Sequence, residues 1–245
     1  MKVAFVTGGT SAIGSAIVHT LVNAGHRVHF QYHRNGEEAS ELRRATGAIG
    51  HQIDFLSDWA PPIENCDIFV HNAAINLSGG SSLDLKESEL EDTMKVNVLV
   101  SATLARAFSA HMMHHRWGRI VNINSIFGLR AGLNRASYSI SKFGLRALTQ
   151  SLSVELAAFG VTVNEVCAGP VNTTMLQSMA SIAVSQGRFR DTESYLASVG
   201  SGLPIRRLIT PQEVAEAVRY LTSDLASCCA GSSLVIDGGL SACWP

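Results

Sequence analysis

The sequence has no excess of charge of either sign: 19 lysines and arginines stand against 20 aspartates and glutamates over 245 residues, a formal net charge of −1. Without a basic field, neither nucleic acid nor an anionic membrane surface has electrostatic support as a partner, and a small molecule is the better expectation. Long apolar runs are missing too. None approaches the ~20 residues needed to cross a bilayer, and VAFV behind Met1-Lys2 is too short for a signal-peptide core, so a cytoplasmic location is expected. The five cysteines, Cys66, Cys167, Cys228, Cys229 and Cys243, are odd in number and lack CxxC spacing; buried thiols are expected, rather than disulfides or zinc ligands. In HMMHH, His111 and His115 are spaced to share a helix face but lack a third ligand, and no metal is assigned. There is no linker, repeat or change of composition, which predicts one domain over residues 1–245.

What is present is an alternation. VAFVT, RVHFQY, IGHQI, DIFVH, RIVNIN, VTVNEV and SLVID read as strands, most of them apolar on both faces, and amphipathic stretches lie between them. Ile13, Ile17, Leu21 and Ala24 recur at helical spacing, and Gly25 is placed to end that helix in a left-handed conformation. The pattern predicts an α/β fold: one Rossmann-type doubly wound parallel sheet of about seven strands, with helices on both faces and ligands at the strand carboxyl ends. Residues 172 to 204 carry polar residues and late glycines and no strand, and read as a substrate lid.

Behind the first strand, TGGTSAIG is a glycine-rich turn. Its backbone, around Gly8, Thr10, Ser11, Ala12 and Ile13, would point helix-start N–H groups at a phosphate. An acid at the end of the second strand would grip a ribose 2′-hydroxyl, but from Arg27 through Asn35 there is no Asp or Glu. Tyr32, His33 and Arg34 stand there instead and would welcome a 2′-phosphate, which predicts NADPH over NADH.

A second constellation lies further on. Tyr138 and Lys142 are one helical turn apart, and an ammonium near a phenol is expected to lower its pKa from about 10 toward the working range. Ser125, at the end of RIVNIN, is placed to hydrogen-bond the same substrate oxygen. Asn97 falls mid-helix by pattern, an unfavourable place for Asn unless its side chain has a task.

Taken together, TGGTSAIG, Asp54, HNAA, Asn97, Ser125, YSISK, AGPVNTTM and VIDGG resemble the short-chain dehydrogenase/reductases over essentially the whole chain, most of all 3-oxoacyl-acyl-carrier-protein reductase-like members. The resemblance implies a tetrad: Tyr138 as general acid, Ser125 polarising the carbonyl, Lys142 tuning the tyrosine and binding the nicotinamide ribose, and Asn97 holding a relay water. It also implies that Asp54 and Phe55 meet the adenine, that Asn72, Ala73 and Ala74 border the cofactor ribose, and that Gly169, Val171 and Thr173 surround the carboxamide. Three positions depart from the family pattern: Ala12 replaces the middle glycine of the turn, Ala74 ends what is usually NNAG, and Ala168 replaces the proline of the PG pair.

The substrate is less legible. Ile126, Phe127, Leu129, Leu133, Met175, Leu176 and Met179 are candidate pocket residues beside Ser125, Tyr138 and Gly169, and suit an acyl chain, ring or steroid alike. Arg130 and Arg135, with Arg188, Arg190, Arg206 and Arg207 about the lid, form a rim for an acidic carrier protein or phosphopantetheine arm. An NADPH-dependent reductase of a carrier-bound 3-oxoacyl thioester is the leading reading. A reductase of a cyclic ketone, steroid, sugar or polyketide-type substrate, an epimerase or dehydratase, and a non-catalytic dinucleotide-binding regulator remain as alternatives. The resemblance also implies a homo-oligomer, dimer or tetramer, through the helices near 93–116 and 137–159, with Leu99, Leu104 and Phe108 serving that surface or the core.

Overall fold

Seven parallel strands run through the chain in the order β3-β2-β1-β4-β5-β6-β7. They are β1 (Val3–Val6), β2 (Arg27–Tyr32), β3 (Ile49–Gln52), β4 (Ile68–His71), β5 (Gly118–Ser125), β6 (Val161–Ala168) and β7 (Ser233–Ile236). A computed structural model of the protein describes residues 1–77 and 81–243. The sequence predicts each of these strands within a residue or two of where it lies. Residues of β5 and β6 are buried throughout, which is why they read as near-continuous apolar runs.

Between the strands lie α1 (Ala12–Asn23), α2 (Gly36–Thr46), α3 (Glu87–Met94), α4 (Val100–His114), α5 (Ala136–Leu156), α6 (Thr174–Ser185), α7 (Thr192–Gly202) and α8 (Pro211–Thr222). Local chemistry sets their ends. Ser11 caps α1 by accepting the Gly14 N–H, and Gly25 follows the helix with φ +83°, the left-handed stop expected of it. Thr210 and Glu213 close a capping box at α8, with Pro211 in the first turn.

The two faces of the sheet bury separate cores. Ile17, Leu21, Val214 and Val218, from α1 and α8, pack on one side with Val6, Val70 and Val121. Phe5, Phe69, Leu104, Phe108 and Met112 fill the other, where Phe5, Phe69 and Phe108 meet ring on ring. Leu104 and Phe108 are thus core and leave the surface to Leu99, which is 55% exposed. The strand order reverses between β1 and β4, so the helices that follow these strands go to opposite faces and a crevice opens at their carboxyl ends.

Candidate active site

At the carboxyl end of β1 the chain turns through Thr7 and Gly8. Gly8 has φ +63°, and a Cβ there would sit 3.0 Å from Ala73 Cα. At Gly14 a Cβ would lie 2.1 Å from the Gly8 carbonyl oxygen, so α1 can approach the turn only through glycine. Asn72 ties this turn down: its Nδ2 donates to the carbonyls of Thr7 and Gly8 at 3.0 Å and to Ser11 Oγ at 3.1 Å. The Asn72 amide therefore shapes the turn and is spent on it. Gln31 does the same from β2, its Oε1 accepting the Gly8 N–H at 2.9 Å.

Thr7 Oγ1 accepts the N–H groups of Asn72 and Ala73, both at 2.9 Å, so its own hydrogen goes to His71 Nδ1 at 3.1 Å. That fixes the neutral ring with its proton on Nε2. Burial, with the Lys142 charge nearby, pushes the His71 pKa down to about 3, against the pull of the Asn97 and Val96 carbonyls that face the ring.

The turn fits a dinucleotide phosphate. Ser11 Oγ takes the Gly14 N–H and the Ser11 carbonyl takes the Ser15 N–H, which leaves the Ala12 and Ile13 N–H groups at the helix start without a partner among the described residues. Ala12 is the first residue of α1 and has no positive φ, so its methyl costs no backbone strain. At the end of β2, Arg34 is exposed and makes no side-chain hydrogen bond or ion pair among the described residues. His33 lies 3.4 Å from Asp54, so the acid missing from β2 is supplied beside His33 from the β3 end. Phe55 is buried edge-on against Trp59, and Tyr32 packs beside Phe30.

The second constellation gathers at the same edge. Ser125 ends β5, and its hydroxyl hydrogen-bonds the Tyr138 phenol. The Lys142 ammonium lies 5.5 Å from the Tyr138 ring centre and donates to the Ile123 carbonyl at 2.9 Å. Sequence spacing implies that Lys142 draws the tyrosine pKa down, but the structure differs. Burial pushes Tyr138 up to about 12, and the Ser125 bond and the Arg135 charge are what oppose it. Lys142 is itself buried and pushed down to about 8, with Cys167 and Glu165 acting against that fall.

Asn97 departs from the sequence reading as well. It sits in a π-helical turn, Lys95–Leu99, inserted between α3 and α4. Its Oδ1 accepts the Ile75 N–H at 2.8 Å, and its Nδ2 donates to the Ile75 carbonyl at 3.0 Å and to Ser141 Oγ at 2.9 Å. Ser141 passes the connection on to the Tyr138 carbonyl at 2.8 Å. A polar residue that looks misplaced in an α-helix is thus the pin of a π-turn at the site.

The outer residues scatter. Gly169 is pressed against Asp237, and Val171 is buried and bridges to Ile209. Thr173 caps α6 through the Leu176 N–H. Residues 172–204 form α6 and α7, which pack together, where the sequence suggests an irregular segment. Ile126 and Leu176 are buried, Phe127 stands edge-on to Tyr138, and Leu129 and Ala74 are half-buried. Leu133 is 91% exposed at the tip of the loop before α5, and Met175 also faces outward, so neither lines an enclosed space. Met179 contacts Arg135 at 3.8 Å, while Arg190 and Arg207 pair with Asp191 and Glu213 and Arg206 donates to the Ser201 carbonyl. His111 pairs with Asp67 at the far edge of the sheet.

Sequence reasoning misses Thr7, Gln31, Asn124 and Glu165; buried polar residues inside otherwise apolar strands are the signal that marks the last three.

A family model described as enoyl-(acyl carrier protein) reductase matches residues 8–241. The oxidoreductase UcpA of Salmonella typhimurium is 32% identical, over 97% of this chain and 94% of its own. The 3-oxoacyl-[acyl-carrier-protein] reductase FabG of Aquifex aeolicus is also 32% identical, over 98% of this chain and 97% of its own. A crystal structure of a variant actinorhodin polyketide ketoreductase with NADPH superposes with a TM-score of 0.87 at 33% identity, covering 98% of this chain and 97% of that one.

Proposed function

The chain belongs to the short-chain dehydrogenase/reductase family and is an NAD(P)-dependent oxidoreductase; we propose that it reduces a ketone to a secondary alcohol with NADPH, using Tyr138 as the general acid. The observation that carries this reading is the Ser125–Tyr138 hydrogen bond with Lys142 alongside, at the sheet edge that also holds the glycine turn.

A reduced nicotinamide bound at this edge supplies the hydride. The chain's own residues do the rest. Phe127 N–H occupies one lone pair of Ser125 at 3.2 Å, leaving the serine proton to polarise the carbonyl oxygen. Tyr138, with its pKa up near 12, is a neutral phenol at working pH and hands its proton to the oxygen as negative charge builds there. Lys142, still mostly an ammonium at neutral pH, is the group to hold the ribose hydroxyls. The Ala12 and Ile13 N–H groups take the pyrophosphate, and Arg34, with Tyr32 and His33 beside it, takes the 2′-phosphate.

The substrate is a 3-oxoacyl thioester presented on a carrier, with Arg130 and Arg135 at the mouth and α6–α7 as the lid. The names of the 32%-identical FabG and the 33%-identical ketoreductase support that class. Two kinetic comparisons test the reading. NADPH should exceed NADH in kcat/KM, and Arg34→Ala should narrow the ratio by about tenfold, the effect of one charge-assisted contact to phosphate; equal use of both cofactors by the unaltered protein would remove the preference. Arg130→Glu should raise KM for a carrier-bound substrate and spare a small free ketone; equal effects on both would remove the carrier.

A further inference from the structure

Glu165, on β6, has no part in the steps above, yet it is 1% exposed directly behind the site. Every group that faces it is a donor. Asn124 Nδ2 reaches Oε2 at 2.6 Å, while the Ser233 hydroxyl, the Cys167 thiol at 3.5 Å and Arg146 Nε at 3.9 Å meet Oε1. The Asn124 amide in turn spans two elements: its Oδ1 accepts the Ser125 N–H at 2.8 Å, and its Nδ2 donates to the Lys142 carbonyl at 3.1 Å. One side chain therefore ties the backbone of Ser125 on β5 to that of Lys142 on α5, and the Glu165 carboxylate holds that side chain in place.

Lys142 is 2% exposed, and a buried cation away from water is costly unless a negative charge compensates it. The groups that act on it are Glu165 and Cys167 from β6 and His71 from β4; Arg146 and Tyr138 share its own helix. His71 is a neutral ring, burial and the Glu165 charge keep the Cys167 thiol protonated, and Arg146 is a second cation. Glu165 is left as the negative charge.

We propose that Glu165, acting through Asn124, is the positioning residue of this site: its carboxylate holds the amide that fixes Ser125 against Lys142, and it is the negative charge set behind the buried Lys142 side chain. The proposal rests on the reading of Ser125 and Lys142 as catalytic, and it concerns two supporting residues, Glu165 and Asn124, that no motif marks.

The test is the titration of Lys142, followed through its 13Cε resonance in lysine-labelled full-length protein, together with pH–rate profiles. The unaltered protein should titrate near 8. Glu165→Gln, which keeps the shape and loses the charge, should move the midpoint to acid by about one unit or more. Its kcat deficit should then widen by roughly fivefold between pH 6 and pH 8 as Lys142 discharges early. Glu165→Asp should restore the midpoint, and Asn124→Ala should cost kcat about tenfold or more at every pH while cofactor KM moves little. An unchanged Lys142 midpoint in Glu165→Gln, with a profile parallel to the unaltered protein, overturns the proposal; if Glu165→Gln fails to fold, a folded Asn124→Ala with unaffected kcat overturns it as well. A protein that reduces no ketone would refute the reductase reading instead, and the Lys142 titration would still decide the role of Glu165.

Discussion

Tyr138 and His71 show how far a single side chain's chemistry depends on its surroundings. The YSISK spacing makes the tyrosine and lysine neighbours, and they are, but spacing carries no information about burial, which outweighs the Ser125 hydrogen bond and the Arg135 charge and leaves the phenol protonated. His71 is a neutral ring held below the ordinary histidine range by burial. Between pH 6.5 and about 3 the unfolded chain binds a proton there that the folded chain refuses, so stability is complete above 6.5 and drains away as pH falls. The ring alone should cost about 2 kcal/mol by pH 5, and His71→Gln should flatten that part of the curve, as read by urea midpoints at pH 7 and pH 5. Equal slopes in both proteins would show that the ring titrates normally. Ala12 is the other residue whose meaning changes. The turn motif makes its methyl look like an intrusion on a phosphate, whereas as the first residue of α1 it has ordinary helical geometry, and Ala12→Gly should bind NADPH as tightly or more tightly in a fluorescence titration. A large loss of affinity would mean that the methyl serves the site.

Among the elements, the strands are the legible part. Parallel strands buried on both faces must be apolar throughout, and Gly, Asp or Asn at their ends bounds them. The π-turn at Lys95–Leu99 is invisible to periodicity because a single extra residue within a long helix leaves the apolar pattern on either side intact. The one clue is Asn97 itself. Its amide holds Ile75 and, through Ser141, the start of α5, so Asn97→Ala should destabilise the fold by about 1–3 kcal/mol, the cost of stranding buried polar partners, and lower kcat more than KM. Unchanged kcat in a stable variant would separate the π-turn from catalysis. Residues 172–204 are missed in form: a mixed polar pattern hides α6 and α7, although Thr173 and the Asp191–Ser194 capping box are helix-start signals.

On the scale of the whole molecule, the sheet order decides what the residues can do, since the reversal between β1 and β4 brings the glycine turn and the Ser125–Tyr138 pair to one sheet edge from opposite halves of the chain. No helix among the described residues is long and apolar enough to cross a membrane. Ile140, Phe143 and Val154 stand exposed along α5, Val154 at 83%, and such an apolar stripe is where the homo-oligomer expected from the sequence would form. Val154→Asp should therefore shift the protein to smaller species in analytical ultracentrifugation, and an unaltered distribution would place the contact elsewhere. The account as a whole stands on proton donation by Tyr138 during ketone reduction. Its most direct measurement is the initial rate of NADPH oxidation, followed by absorbance over a panel of 3-oxoacyl thioesters, cyclic ketones and quinones, for the unaltered protein and for Tyr138→Phe. The account predicts turnover on at least one ketone and a loss of about 10²–10⁴-fold in the variant with NADPH binding retained; binding without oxidation on every substrate, or equal rates in the two proteins, would contradict it.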